Sequence, residues 1–146
     1  MKNKAELQMI TSENPSSKLE LSKLVQNTYG VTDVRKAIKT KSMSLVSLKK
    51  DQGYKVLKAT LKIYFKNMND MLGLKLENQL SNNQVEFLVN QLSNEFYYLK
   101  LVDLGVIFNK IVGGESDDFK YSITPPKIMS VVRKYVNQKQ ELARQL

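Results

Sequence analysis

The chain has 146 residues, 42% of them apolar, and carries 23 Lys or Arg against 14 Asp or Glu, a formal net charge of +9. That is enough for one domain with a real core. It contains no Cys and no His, which excludes disulfides, thiol nucleophiles, imidazole acid–base chemistry and Cys or His metal sites. A binding protein without a cofactor is therefore expected in preference to an enzyme.

Residues 1–15 mix charges and amides without a sustained period and close on Pro15, so they read as a flexible N-terminal segment ahead of a single helical domain over 16–146. A first helix is expected from Ser16 or Ser17, with Leu21, Leu24 and Val25 on one face, ending at Gly30. Thr32 is placed to cap a short helix over 33–39, and Ser44 another over 45–50 that stops near Gly53. The span 54–72 reads as the longest helix. At 100° per residue, Leu57, Leu61, Tyr64, Met68, Met71 and Leu72 share one face. Lys55, Lys58, Lys62 and Lys66 fall within about 80° on the opposite side.

After Gly73 and a connection over 74–80, Ser81 with Gln84 three residues later fits a capping box, with Leu80 before it as a staple residue. The helix it opens is expected over 82–98, burying Val85, Leu88, Leu92 and Phe96, with Phe87 and Val89 flanking. A break at 99–101 precedes a helix over 102–112, ended by Gly113-Gly114. Residues 115–122 read as a loop, with an extended stretch conceivable at 121–123. Thr124-Pro125-Pro126 marks a helix start. The last helix then runs to about Ala143, with Ile128, Val131, Val132, Tyr135 and Val136 inward. The reading is all-α: a single compact domain of five to seven helices with a frayed N-terminus.

The charge is not spread evenly. Residues 35–66 hold Arg35, Lys36, Lys39, Lys41, Lys49, Lys50, Lys55, Lys58, Lys62 and Lys66, with Asp51 as the only acid; the other 114 residues balance 13 bases against 13 acids. Localised basicity points to a surface facing a polyanion, so these ten are the candidate nucleic-acid-binding residues. Lysine outnumbers arginine 20 to 3. Lysine is a point charge, whereas arginine supplies the bidentate fork that reads guanine, so contact with the backbone of DNA or RNA is favoured over sequence reading. An AT-rich coding sequence would raise Lys equally. A solvated face or an acidic protein partner competes with the polyanion reading, although no glutamate stands at i±4 along the stripe to neutralise it.

Other signals weigh less. Phe96, Tyr97 and Tyr98 could stack on bases, but at helical spacing they read as core or interface. Glu115, Asp117 and Asp118 lack the spacing of a calcium loop, so no metal is expected. Gly113-Gly114 lacks the Lys-Ser/Thr of a phosphate loop. A helix-turn-helix around Gly53 would present a recognition helix poor in base-reading side chains. Residues 1–17 contain no apolar run of signal-peptide length, and the stretch 101–112, broken by Asp103, Asn109 and Lys110, is far short of a membrane span. A cytoplasmic protein with no membrane contact is expected; the sequence leaves its oligomeric state open.

The segments SLVSLKKDQGYKVLKATL (44–61) and LSNNQVEFLVNQLSNEFYYLKLVDLGVIF (80–108), the Gly113-Gly114 turn and a last helix containing Tyr135 together resemble an uncharacterised family of small helical proteins from Bacteroides-type bacteria, their mobile elements and their phages. The resemblance covers about residues 44–140. The family turn carries a second glycine flanked by aromatics, where this chain has Glu115-Ser116-Asp117-Asp118-Phe119. The family brings no established activity, so no catalytic residue carries over. What it implies is an accessory protein of a phage or mobile element, placed in host cytoplasm or virion. Its partner would be nucleic acid or, alternatively, a phage or host protein on which it docks as adaptor or virion component.

Overall fold

The computed structural model describes residues 18–146. Seven α-helices follow one another among them: α1 (Lys18–Thr28), α2 (Val34–Lys39), α3 (Leu45–Gln52), α4 (Tyr54–Leu72), α5 (Asn82–Glu95), α6 (Leu101–Val112) and α7 (Pro125–Gln145). Single 3-10 turns occupy Leu76–Asn78 and Asp117–Phe119. The fold is all-α, as the periodicity indicates, with no strand among the described residues. The expected flexible segment 1–15 and a helix start at Ser16 or Ser17 lie outside the described residues.

The centre of the molecule is α6. Residues 101–108 are buried without exception, which is what a run apolar all round except at Asp103 requires. It is enclosed by α1, α2, α4 and α7. Each Leu, Ile, Val or Phe taken fully out of water there contributes about 1.5–3 kcal/mol. The crossing with α1 is tight at Gly105: a Cβ built on that residue would run into the Thr28 carbonyl oxygen and lie 2.7 Å from its carbonyl carbon. Beside this crossing, the Tyr64 hydroxyl donates to the Leu101 carbonyl at 3.1 Å and lies 2.7 Å from Thr28 Oγ1. Burial pushes the Tyr64 phenol well above its ordinary range, so it stays neutral. Tyr29 stacks on Phe108 with ring centroids 3.9 Å apart, and Asn109 Nδ2 donates to the Tyr29 carbonyl at 2.8 Å. Burial raises Tyr29 to about 12, against the lowering effect of its hydrogen bond with Asn67.

One buried charge sits in this core. The Asp103 carboxylate is fully buried and accepts hydrogen bonds from the Lys100 backbone N–H at 2.8 Å, from the Tyr135 hydroxyl, and from Lys139 Nζ at 2.7 Å. The first of these caps the N-terminus of α6, while the other two fasten α7 to it. Burial, then the hydrogen bond to Asp103, holds the Tyr135 phenol protonated. The Lys100 side chain runs the other way. Its Nζ donates to the carbonyls of Ala37 and Thr40, each at 2.8 Å, closing the C-terminal end of α2. Burial, then the neighbouring Lys139 ammonium, lowers the Lys100 pKa, while Asp103 raises it.

Several expectations need correction. Asp33, not Thr32, caps α2: its carboxylate accepts from Lys36 N–H at 2.9 Å, a charge-assisted bond a threonine cannot match. The longest helix is α7, at 21 residues against 19 for α4, and it reaches Gln145. Thr124 occupies the N-cap of α7 without a side-chain cap bond, and Pro126 removes one of the two N–H groups such a cap could bind. Met71 is 66% exposed although it shares the phase of buried Leu57 and Tyr64, because no element covers the last turn of α4 on that side. In α5, Val89 is fully buried and Phe87 is 53% exposed, while Val85 is only half-buried. Val131 in α7 is likewise half-buried.

The largest departure is the end of α5, which stops at Glu95 instead of reaching Tyr98. The carbonyls beyond it are used elsewhere: Leu45 N–H donates to Leu99 O at 2.8 Å and Val46 N–H to Tyr97 O at 2.9 Å, satisfying the first turn of α3. Leu101 N–H donates to Met43 O at 2.9 Å in return.

Gly105→Ala should destabilise the fold by about 2–3 kcal/mol through the α1–α6 crossing, read as a lower urea midpoint; a midpoint equal to wild type would show that α1 does not cross there. Asp103→Ala, which strands a buried phenol and an ammonium, should cost about 3–5 kcal/mol. Adding Lys139→Met should then cost much less than it does alone; strict additivity in the double-mutant cycle would contradict the pairing.

Candidate nucleic-acid interface

The ten candidate bases occupy two groups. Arg35, Lys36 and Lys39 ride on α2, which packs against α7 and α6 and makes no substantial contact with α3 or α4; Lys41 lies in the link that follows. Lys49 and Lys50 end α3, Lys55 begins α4 across Gly53, and Lys58, Lys62 and Lys66 continue along α4. Nine of the ten are exposed and Lys58 is half-buried, so the stripe does lie away from the apolar face of α4.

The chain folds back after α4 in a register set by one asparagine. Asn69 donates to the Leu80 carbonyl at 3.1 Å and accepts from Leu80 N–H at 2.9 Å, closing the turn, and the Ser81–Gln84 capping box then starts α5. Further along, residues 58 and 62 of α4 come opposite 86 of α5. Glu86 accordingly bridges Lys58 and Lys62, at 2.9 Å to each ammonium. The hydrogen bonds from Lys62 and Lys58 hold the Glu86 carboxyl below its ordinary range, and the same contact raises Lys58. One turn further, the Tyr54 hydroxyl donates to Asn90 Oδ1 at 3.1 Å.

Sequence reasoning along α4 finds no glutamate at i±4, and the neutralising carboxylate comes from the adjacent helix instead. The remaining eight candidate bases have no carboxylate within 4.0 Å among the described residues. Lys49 Nζ stands 5.8 Å from the Tyr54 ring centroid. Asp51, the lone acid of the segment, is exposed.

The aromatic trio divides. Phe96 is buried beneath Arg133, whose guanidinium lies 5.9 Å from the ring and pairs with Glu95 at 3.5 Å. Tyr97 and Tyr98 are exposed and meet edge to face. Lys100, the only base next to them in sequence, has its ammonium on the α2 carbonyls. Glu115 pairs with Lys110 at 3.6 Å, and no group of three or more carboxylates among the described residues converges to hold a cation. No described helix is long and apolar enough to cross a membrane.

Comparison of the chain with protein-family models, curated proteins and solved structures finds no match.

The Glu86 contact has a sign in pH. A carboxyl depressed by its partners contributes stability above its unfolded value, and that contribution disappears as pH falls through the folded value. Followed by NMR, the Glu86 side-chain carboxyl should titrate below the ordinary 4.5, and Lys62→Met should move the midpoint back up. A midpoint unmoved by that substitution would mean the bridge does not form in solution.

Proposed function

We propose that this protein is a non-enzymatic accessory module that binds nucleic acid through its phosphate backbone, using the lysines of α3 and α4, without strong sequence preference. The observation that carries the reading is the run Lys49, Lys50, Lys55 and Lys66: four exposed ammonium groups on two consecutive helices, with no carboxylate partner among the described residues. Ammonium groups left unpaired attract phosphate, and each phosphate neutralised releases condensed counterion. The scarcity of arginine, with Arg35 alone in the basic segment, supports contact by charge over base reading. The family resemblance over 44–140 supports a phage or mobile-element setting.

A second reading, a protein adaptor or virion component, draws on different observations. Glu86 already quenches two lysines. A surface cleft of about 590 Å³ lies between the 76–81 turn and residues 122–124, lined by Leu76, which is 85% exposed, and adjoined by Tyr121, which is 73% exposed. This apolar rim lies outside the basic segment and suits a protein surface better than a phosphate.

The two readings separate on salt. Four phosphate contacts should give a log–log slope of about −3 to −4 against salt on random-sequence duplex, and about −3 on single strands. Glu86→Gln should steepen it by up to about two units as Lys58 and Lys62 become available. Absence of binding to either form at low salt, or a flat response, would reject the nucleic-acid reading.

A further inference from the structure

We propose that the Tyr54 ring is a stacking platform for an unpaired nucleobase, so that this surface takes single-stranded nucleic acid in preference to duplex. The inference rests on the backbone-binding reading above and adds to it what the ligand must look like. Tyr54 is the first residue of α4 and remains 37% exposed at the α3–α4 corner. Its orientation is fixed from two sides. Its hydroxyl donates to Asn90 Oδ1 on α5 at 3.1 Å, and its backbone is held by the helix it opens. A ring already pinned loses little freedom when a base lies on it. Gly53 precedes it with φ +93°, a left-handed conformation, and a Cβ built there would meet no atom within 4 Å. The backbone before the ring is therefore uncrowded, and the ring itself is reachable through its exposed fraction.

The charge around the ring fits the rest of a nucleotide. Lys49 Nζ lies 5.8 Å from the ring centroid, while Lys50 and Lys55 flank it in sequence, exposed and without carboxylate partners among the described residues. Asp51 is the one acid nearby, against three ammonium groups. An aromatic face among unpaired cations matches a base and its flanking phosphates. Bases inside a duplex are stacked on one another and present only edges, so an unpaired base alone can offer its face. The other exposed aromatic pair, Tyr97 and Tyr98, lacks such cations, as the Lys100 ammonium is committed to α2.

The test is fluorescence anisotropy with a labelled oligothymidylate and a labelled duplex of the same length at one salt concentration. Wild type should bind the single strand roughly tenfold more tightly. Tyr54→Leu should lower single-strand affinity by a similar factor with duplex affinity unchanged, whereas Tyr54→Phe, which keeps the ring, should retain the preference. Lys50→Ala should weaken both forms alike. Equal wild-type affinity for the two forms, or an equal loss on both in Tyr54→Leu with the helical circular-dichroism signal intact, would overturn the stacking platform and leave backbone binding standing. Binding to neither form would instead overturn the reading on which it rests.

Discussion

A single buried carboxylate fixes how the helices meet. Asp103 lies fully buried in the first turn of the most apolar helix of the chain, where an ionised side chain without partners would be intolerable. It is satisfied by a backbone N–H of its own helix, a phenol and an ammonium, and the last two come from α7. Those bonds select one rotation and one translation of α7 on α6, which apolar packing alone would leave less sharply defined. Three residues earlier, Lys100 performs the reciprocal task, sending its ammonium to the Ala37 and Thr40 carbonyls at the end of α2. A helix of six residues has no stability of its own. It persists because its N-terminus is capped by Asp33, its C-terminus by Lys100, and its apolar side chains, Val34 and Ala37, are buried.

The same tertiary logic shapes the charged surface. Along α4 the lysines form an unrelieved stripe, and the relief comes from α5 through the turn that Asn69 closes on Leu80. Glu86 neutralises the middle of the stripe and leaves its ends. Exposed bridges of this kind add little to stability, since solvent and salt screen them. Their consequence is electrostatic: with Lys58 and Lys62 quenched, Lys49, Lys50 and Lys55 stay uncompensated at the α3–α4 corner, where an exposed tyrosine also stands. An aromatic ring and free cations in one place make a different surface from a uniform basic face, even at the same net charge.

How much of this was legible depends on whether each feature is local. The Ser44 and Ser81 caps and the glycine stop after Leu72 are decided by a few neighbouring residues and could be read from them. The buried faces of α4 and α7 followed from period alone, apart from Met71, Leu72 and Val131, where the period is right and the neighbours do not fully reach. The end of α5 was not legible. Nothing between Glu95 and Tyr98 forbids a helix; it ends because Tyr97 and Leu99 carbonyls serve donors on α3, more than a third of the chain away. Of the interface, residue type and exposure were legible. The division of the ten bases into two groups was not, and neither was the partner of Lys58 and Lys62.

The sequence by itself determined an all-α chain, the place of its longest apolar stretch over 101–112, and the confinement of its net charge to residues 35–66. Each of these depends on composition and on contacts within one or two helical turns. Only the tertiary structure decided that Asp103 would hold α7, that Gly105 would admit α1, and which lysines would stay unpaired. Those outcomes depend on groups from distant segments arriving within 3 Å of one another, and that distance is set by helix register and crossing, which no local pattern specifies.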